Sequence, residues 1–179
     1  MAKVVKRHDS PTCMDASKLN FTHGIASGDP YPDSVILWTR ASPMFDNDKS
    51  NVTVEGTVPL YNHETKQYVR ASKHPVCVDW TVSSDEAMND CVAKGRAYTS
   101  SDIDYTVKVE AKGLQPFTQY WYQFSICDSD KKSPVGRTKT APRNDDDTTG
   151  VNLAVYSCSN FPTGFFNVCG SIKVNVNDR

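Results

Sequence analysis

The chain has 179 residues, a net charge of −1 and 38% hydrophobic residues, with an isoelectric point near 6.4 and a mean hydropathy of −0.53. That length holds one ordinary domain, or one domain and a fragment of another. The near-zero charge, with Lys and Arg scattered, argues against nucleic acid or an anionic membrane as an electrostatic partner. No apolar run approaches the roughly 20 residues that span a bilayer.

Residues 1–18 are polar and read as a loose arm, with Cys13 as its one anchor. The opening "MAKVVKRH" lacks the apolar core of a signal peptide, so the expectation is that a secretory leader has been replaced at this end. Lys6-Arg7 is read as a solvated charge pair in preference to a dibasic processing site. From 19 to 141 the text is β-like. "SVILWTR" (34–40) is a continuous apolar strand of the kind found in a sandwich core. "NVTVEGTVPLY" (51–61) alternates through Val52, Val54 and Val58, and "VCVDWTVSS" (76–84) through Val76, Val78, Trp80 and Val82. "SDEAMNDCVAKG" (84–95) is read as a short helical turn. "DYTVKVEAKGL" (104–114) sets Tyr105, Val107, Val109 and Ala111 on one face, and "QYWYQFSI" (119–126) does the same with Tyr120, Tyr122 and Phe124. Trp121 then faces the other way and is read as surface that a missing domain covers, in preference to a contact surface for another partner. "GRTKTAP" (136–142) closes the series. About seven strands with turn residues between them predict an all-β fold, a fibronectin type III or immunoglobulin-like sandwich.

"GLQPFTQYWYQF" (113–124) sharpens that expectation. Leu114, Pro116 and Tyr120 have the spacing of a tyrosine corner. The leucine closes the bottom of the core, the proline holds the turn between sheets, and the tyrosine hydroxyl bonds back to the turn backbone. Beyond the sandwich, "PRNDDDTTG" (142–150) contains no apolar residue and carries Asp145, Asp146 and Asp147 in a row. Such a run invites calcium, but a solvated, self-repelling linker is the reading adopted. Residues 151–179 then open a second unit, with a strand at Val151, Leu153 and Val155 running into Ser157-Cys158-Ser159-Asn160.

The six cysteines (13, 77, 91, 127, 158, 169) include no CxxC pair, which makes a zinc knuckle a weak reading. Sequons occur at Asn20-Phe21-Thr22 and Asn51-Val52-Thr53. Cysteines and sequons together suggest a secreted, glycosylated, disulfide-bearing protein. The four histidines (8, 23, 63, 74) follow no metal-binding spacing, and Ser157 and Ser159 have no neighbouring His to activate them.

"FTHGIASGDPYPDSVILWTR" (21–40), followed in order by "VDWTVSSDE", "DYTVKVEAKGLQPFTQYWYQF", "SPVGRTKTAP" and "LAVYSCSNFPTGFFN", resembles the beginning of PhoD-type alkaline phosphatases and phosphodiesterases across residues 21 to 168. In the first motif, Gly24 and Gly28 permit positive φ or close backbone approach. Ser27 and Asp29 can cap backbone donors, Pro30 stiffens the turn, and His23 reads as a hydrogen-bonded structural residue. The resemblance implies a metallophosphatase domain after the sandwich, using iron and calcium to activate an attacking oxygen. Cys158 falls where the family places a thiolate ligand to iron. The family pattern breaks near Cys169, where Ile172, Val174 and Val176 alternate like a strand and the expected helix is missing.

One thiolate cannot assemble a multi-metal centre. The expectation is therefore that this chain binds no cofactor and hydrolyses no phosphate ester by itself. The main reading is a docking module for the missing phosphatase domain, another protein or a cell-wall surface. A secreted effector-like protein that has lost its enzyme is an alternative, as is a phosphomonoesterase or phosphodiesterase completed by another chain. The C-terminal strand is a candidate for self-association. Cysteine pairing stays open among 15 connectivities. Cys77–Cys91 is the first expectation, with Cys13–Cys127 tying the arm and Cys158–Cys169 closing the terminal loop.

Overall fold

The computed structural model describes residues 15–43, 75–100, 103–147 and 150. The expected strand at 51–61, Cys13, Asn51, Cys158, Cys169 and the whole of 151–179 lie outside the described residues. The chain divides into two compact units at Asp146 and Asp147, and the described strands all belong to the first.

A 3-10 turn, Ala16–Lys18, opens the described chain, with Asp15 accepting from the Ser17 amide at 3.0 Å. That hydrogen bond holds the Asp15 carboxyl below the usual carboxylate range. Nine strands follow among the described residues: β1 Leu19–Asn20, β2 Ile25–Gly28, β3 Ser34–Arg40, β4 Ser42–Pro43, β5 Val76–Ser83, β6 Cys91–Thr99, β7 Thr106–Lys112, β8 Gln119–Ile126 and β9 Gly136–Lys139. They form a sheet of order β2-β3-β7, a sheet of order β6-β5-β8-β9 and the small pair β1-β4. All pairings are antiparallel. The two larger sheets adjoin along both flanks, β6 beside β7 and β2 beside β9. This is a β-sandwich of the fibronectin type III kind.

The core follows from period-two alternation. On β8, Tyr120, Tyr122, Phe124 and Ile126 are buried, and they meet Val35 and Leu37 of β3, Val78 and Val82 of β5, and Val107 and Ala111 of β7. Phe124 is fully enclosed and stands edge-on to Tyr122, ring centroids 6.3 Å apart. Burial pushes the Tyr122 phenol up, partly offset by its hydrogen bond to Ser27 on the facing sheet. Trp121 lies on the opposite face of β8, half-buried, across from Ser83 and Arg137.

Two elements depart from the sequence expectations. Residues 84–90 form a turn, in which the Asp85 carboxylate accepts from the Asn89 and Asp90 amides at 2.9 and 3.1 Å. From Cys91 the chain is strand, where a helical turn was expected. The hydrophobic signal is weak because the inward positions of β6 are Ala93, Gly95 and Ala97. They are small to admit Trp80 from β5: a Cβ on Gly95 would lie 2.6 Å from the indole. In the same way β2 sits inside the stretch read as a turn, and a Cβ on Gly136 of β9 would strike Ile25 and the Tyr122 ring at 2.6 Å.

Gly95→Ala is therefore expected to cost about 1–3 kcal/mol through overpacking. At Gly28 the backbone is extended and a Cβ would meet nothing within 4 Å, so Gly28→Ala should be neutral or stabilising by up to about 1 kcal/mol. Urea denaturation of the two variants measures both.

Candidate functional site

The turn between β2 and β3, residues 29–33, holds two prolines and lies at the surface. Ser27, Gly28, Asp29, Pro30 and Tyr31 are all exposed, and Pro32 is half-buried. Gly24 takes the left-handed backbone expected of it, at φ 68°, but Gly28 does not; the positive φ falls on Asp29, at 48°. The capping roles expected for Ser27 and Asp29 are not seen among the described residues. Ser27 instead hydrogen-bonds Tyr122. His23 accepts at Nδ1 from Arg40 at 3.2 Å and pairs with the Thr22 hydroxyl at 2.9 Å. Arg40 also holds the Asp104 carboxylate at 2.7 Å. This network is exposed and ties the loop before β2 to the start of β7.

The corner forms at the other side of the same region. The Gln115 amide donates to the Tyr120 hydroxyl at 2.9 Å, Leu114 is buried, and the Leu114 amide donates to the Asp33 carbonyl at 3.0 Å. The Pro116 carbonyl accepts from the Thr118 hydroxyl at 2.8 Å. Buried Thr140 donates to the Gln115 carbonyl at 2.7 Å and accepts from the Thr118 amide at 2.9 Å. The exit of the chain is built into this network. The Ala141 amide donates to the Tyr31 carbonyl at 3.1 Å, and the Ala141 carbonyl accepts from the Phe117 amide at 3.0 Å.

Both residues bonded to Ala141 carry large exposed side chains, Tyr31 at 57% exposure and Phe117 at 44%. Phe117 has φ 51°, rare for a bulky residue, and the Lys139 ammonium lies 3.4 Å from its ring centroid. A concavity of about 490 Å³ opens between the β6 and β7 flanks over Trp80, Gly95 and Val109. Much of its charge is already paired: Arg96 with Asp79 at 2.7 Å and Lys112 with Glu110 at 2.9 Å. The Arg96 guanidinium is driven further up by its bond to Asp79.

The cysteines pair differently from the expectation. Cys77 is bonded to Cys127, with Cα atoms 5.4 Å apart, and Cys91 is free and exposed. The strand register explains this. Val78 pairs with Ile126, which leaves Cys77 and Cys127 as cross-strand neighbours, and the Cys127 amide donates to the Cys77 carbonyl at 3.1 Å. Cys91 pairs with Ser83 at the far end of β5, about 20 Å away at strand rise. With Cys127 taken, the Cys13–Cys127 link is excluded too. Lys131 ties the arm instead, donating to the Ser17 and Leu19 carbonyls at 2.6 and 2.8 Å.

Among the described residues, Cys77, Asp79 and Cys127 place three potential metal-ligand atoms within 4.8 Å. They do not fit a ferric or calcium centre: the sulfurs are bonded to each other, and Asp79 is held by Arg96. Among the glycosylation candidates, Asn20 is exposed, and its side-chain oxygen accepts from the Phe21 amide at 2.8 Å.

A fibronectin type III-like sandwich with a tyrosine corner and an exposed aromatic exit pole defines the class: a β-sandwich module. Residues 8–142 match the family "PhoD-like phosphatase, N-terminal domain", and the chain belongs to that family. It is 35% identical over 150 residues to alkaline phosphatase D of Bacillus subtilis (strain 168), a match covering 84% of this chain and 22% of the relative. The solved structure of PhoD superposes with a TM-score of 0.54 at 34% identity, covering 74% of this chain and 21% of that one. The chain thus spans about a fifth of the length of the relatives it matches.

Peptide mapping under non-reducing conditions should recover Cys77 linked to Cys127 and Cys91 alkylated. The two cysteines are 50 residues apart, so Cys77→Ala with Cys127→Ala should lower stability by about 4 kcal/mol on the loop-closure account.

Proposed function

We propose that this chain acts as a non-catalytic docking module of the PhoD-like phosphatase family and has no phosphatase activity by itself. The observation that carries this reading is the coincidence of family match and exit geometry. The matched N-terminal domain ends at residue 142, and Ala141, its last hydrogen-bonded residue, is bonded through its backbone to two residues with exposed aromatic side chains. A rigid sandwich with apolar side chains grouped where the chain departs is suited to holding a neighbour. In this reading the iron and calcium chemistry belongs to a following domain, and Cys158 is a single ligand of a centre that needs many. Secretion is part of the proposal, supported by the disulfide and by Asn20, which is exposed in a sequon.

The test is hydrolysis of a chromogenic phosphate ester by the purified 179-residue protein with added iron and calcium. The expected rate equals that of the Cys158→Ser control. A rate well above that control contradicts the proposal.

A further inference from the structure

We propose that the pole made by Tyr31, Phe117 and Lys139 is the seat of the phosphatase domain that follows the sandwich in longer PhoD-like chains, with Tyr31 as its rigid anchor. The inference rests on the docking reading above and assigns it a surface.

Rigidity comes first. Pro30 and Pro32 flank Tyr31 and restrict the backbone on both sides. The Tyr31 amide donates to the Ser34 carbonyl at 2.8 Å, and the Tyr31 carbonyl accepts from Ala141. Neither backbone group is left to move, while the side chain stands in solvent. With the backbone fixed, only the two side-chain torsions of Tyr31 are left to lose when it is covered, a small cost that suits an interface anchor.

Phe117 is held with similar firmness. Its amide is bonded to the Ala141 carbonyl, and its backbone sits in the left-handed region, at φ 51°. A phenylalanine in that conformation costs stability, and with 44% of its surface exposed it recovers only part of that cost by burial within the sandwich. Lys139 caps the ring and forms no ion pair among the described residues. The two aromatic residues are linked through the backbone of Ala141, which is hydrogen-bonded to both, and Lys139 adds an ammonium over the Phe117 ring.

The choice of occupant follows from where the chain leads. Ala141 is hydrogen-bonded to the backbone of both anchors, and the family match stops at residue 142. The relatives continue for most of their length beyond the matched portion, which is 22% of alkaline phosphatase D. A domain attached at that exit meets this pole at high effective concentration. The matching surface is apolar, with acceptors at its rim for the Tyr31 hydroxyl and the Lys139 ammonium.

The experiment uses a full-length chain in which residues 1–142 replace the matched region of B. subtilis alkaline phosphatase D. Calorimetry and limited proteolysis of the 142–150 linker are measured for this chain, for Tyr31→Ser with Phe117→Ser, and for Val92→Ser, which is exposed on β6. The unsubstituted chain should melt in a single transition. The double variant should melt in two, with linker cleavage at least about tenfold faster, the size expected when interface anchors are removed. Val92→Ser should change neither. The double substitution in the 179-residue protein should leave its melting temperature within a few degrees, which separates lost docking from lost folding. Two independent transitions in the unsubstituted chain would overturn the docking reading itself. A single transition that survives the double substitution would leave docking standing and overturn this assignment of its surface.

Discussion

β8 fixes the register on which the sandwich depends. Its inward residues, Tyr120, Tyr122, Phe124 and Ile126, supply most of the aromatic mass of the core. A slip of one residue would put all four in solvent and bring Trp121, Gln123 and Ser125 inside. The strand is pinned at both ends against that slip. At its start the Tyr120 hydroxyl accepts from the Gln115 amide, and just past its end Cys127 is bonded to Cys77. The pairing of β5 on one side and β9 on the other follows from this register.

The position of the exit follows as well. Because β9 pairs with β8, Thr140 is drawn into the corner, and Ala141 is brought into hydrogen bonds with both Tyr31 and Phe117. The turn between β2 and β3, prominent in the sequence for its two prolines, thereby becomes part of the same pole as the tyrosine corner. Two motifs far apart in the chain serve one place in the fold, and this gives the docking proposal its structural basis. The family belongs to phosphate-ester chemistry, yet the residues that stand out in this portion are aromatic and structural.

The fold is legible in the sequence where large side chains alternate. The apolar runs delimit β3 and β8 to the residue, and β5 to within one. The corner is legible because Leu114, Pro116 and Tyr120 each perform a separate steric task at fixed spacing. β6 is illegible because its inward residues are small in order to receive Trp80, so the information lies on a different strand. The short edge strand β2 is hidden by its glycine and by the turn that follows. The disulfide escapes sequence reasoning for a related cause: proximity along the chain favours Cys77 with Cys91, while pairing is decided by register across β5 and β8. The exit pole has no sequence signal beyond an unusual Pro-Tyr-Pro, because its second half, Phe117, joins it only through backbone bonds to Ala141.

On this account the sandwich is a complete fold, held by its own core and independent of any phosphatase domain. Amide hydrogen exchange on the 179-residue protein alone tests that claim most directly. Amides of β3, β5 and β8 are expected to exchange only through global unfolding, with opening free energies equal to the stability found by denaturant. Rapid exchange throughout those three strands in the isolated protein would contradict it.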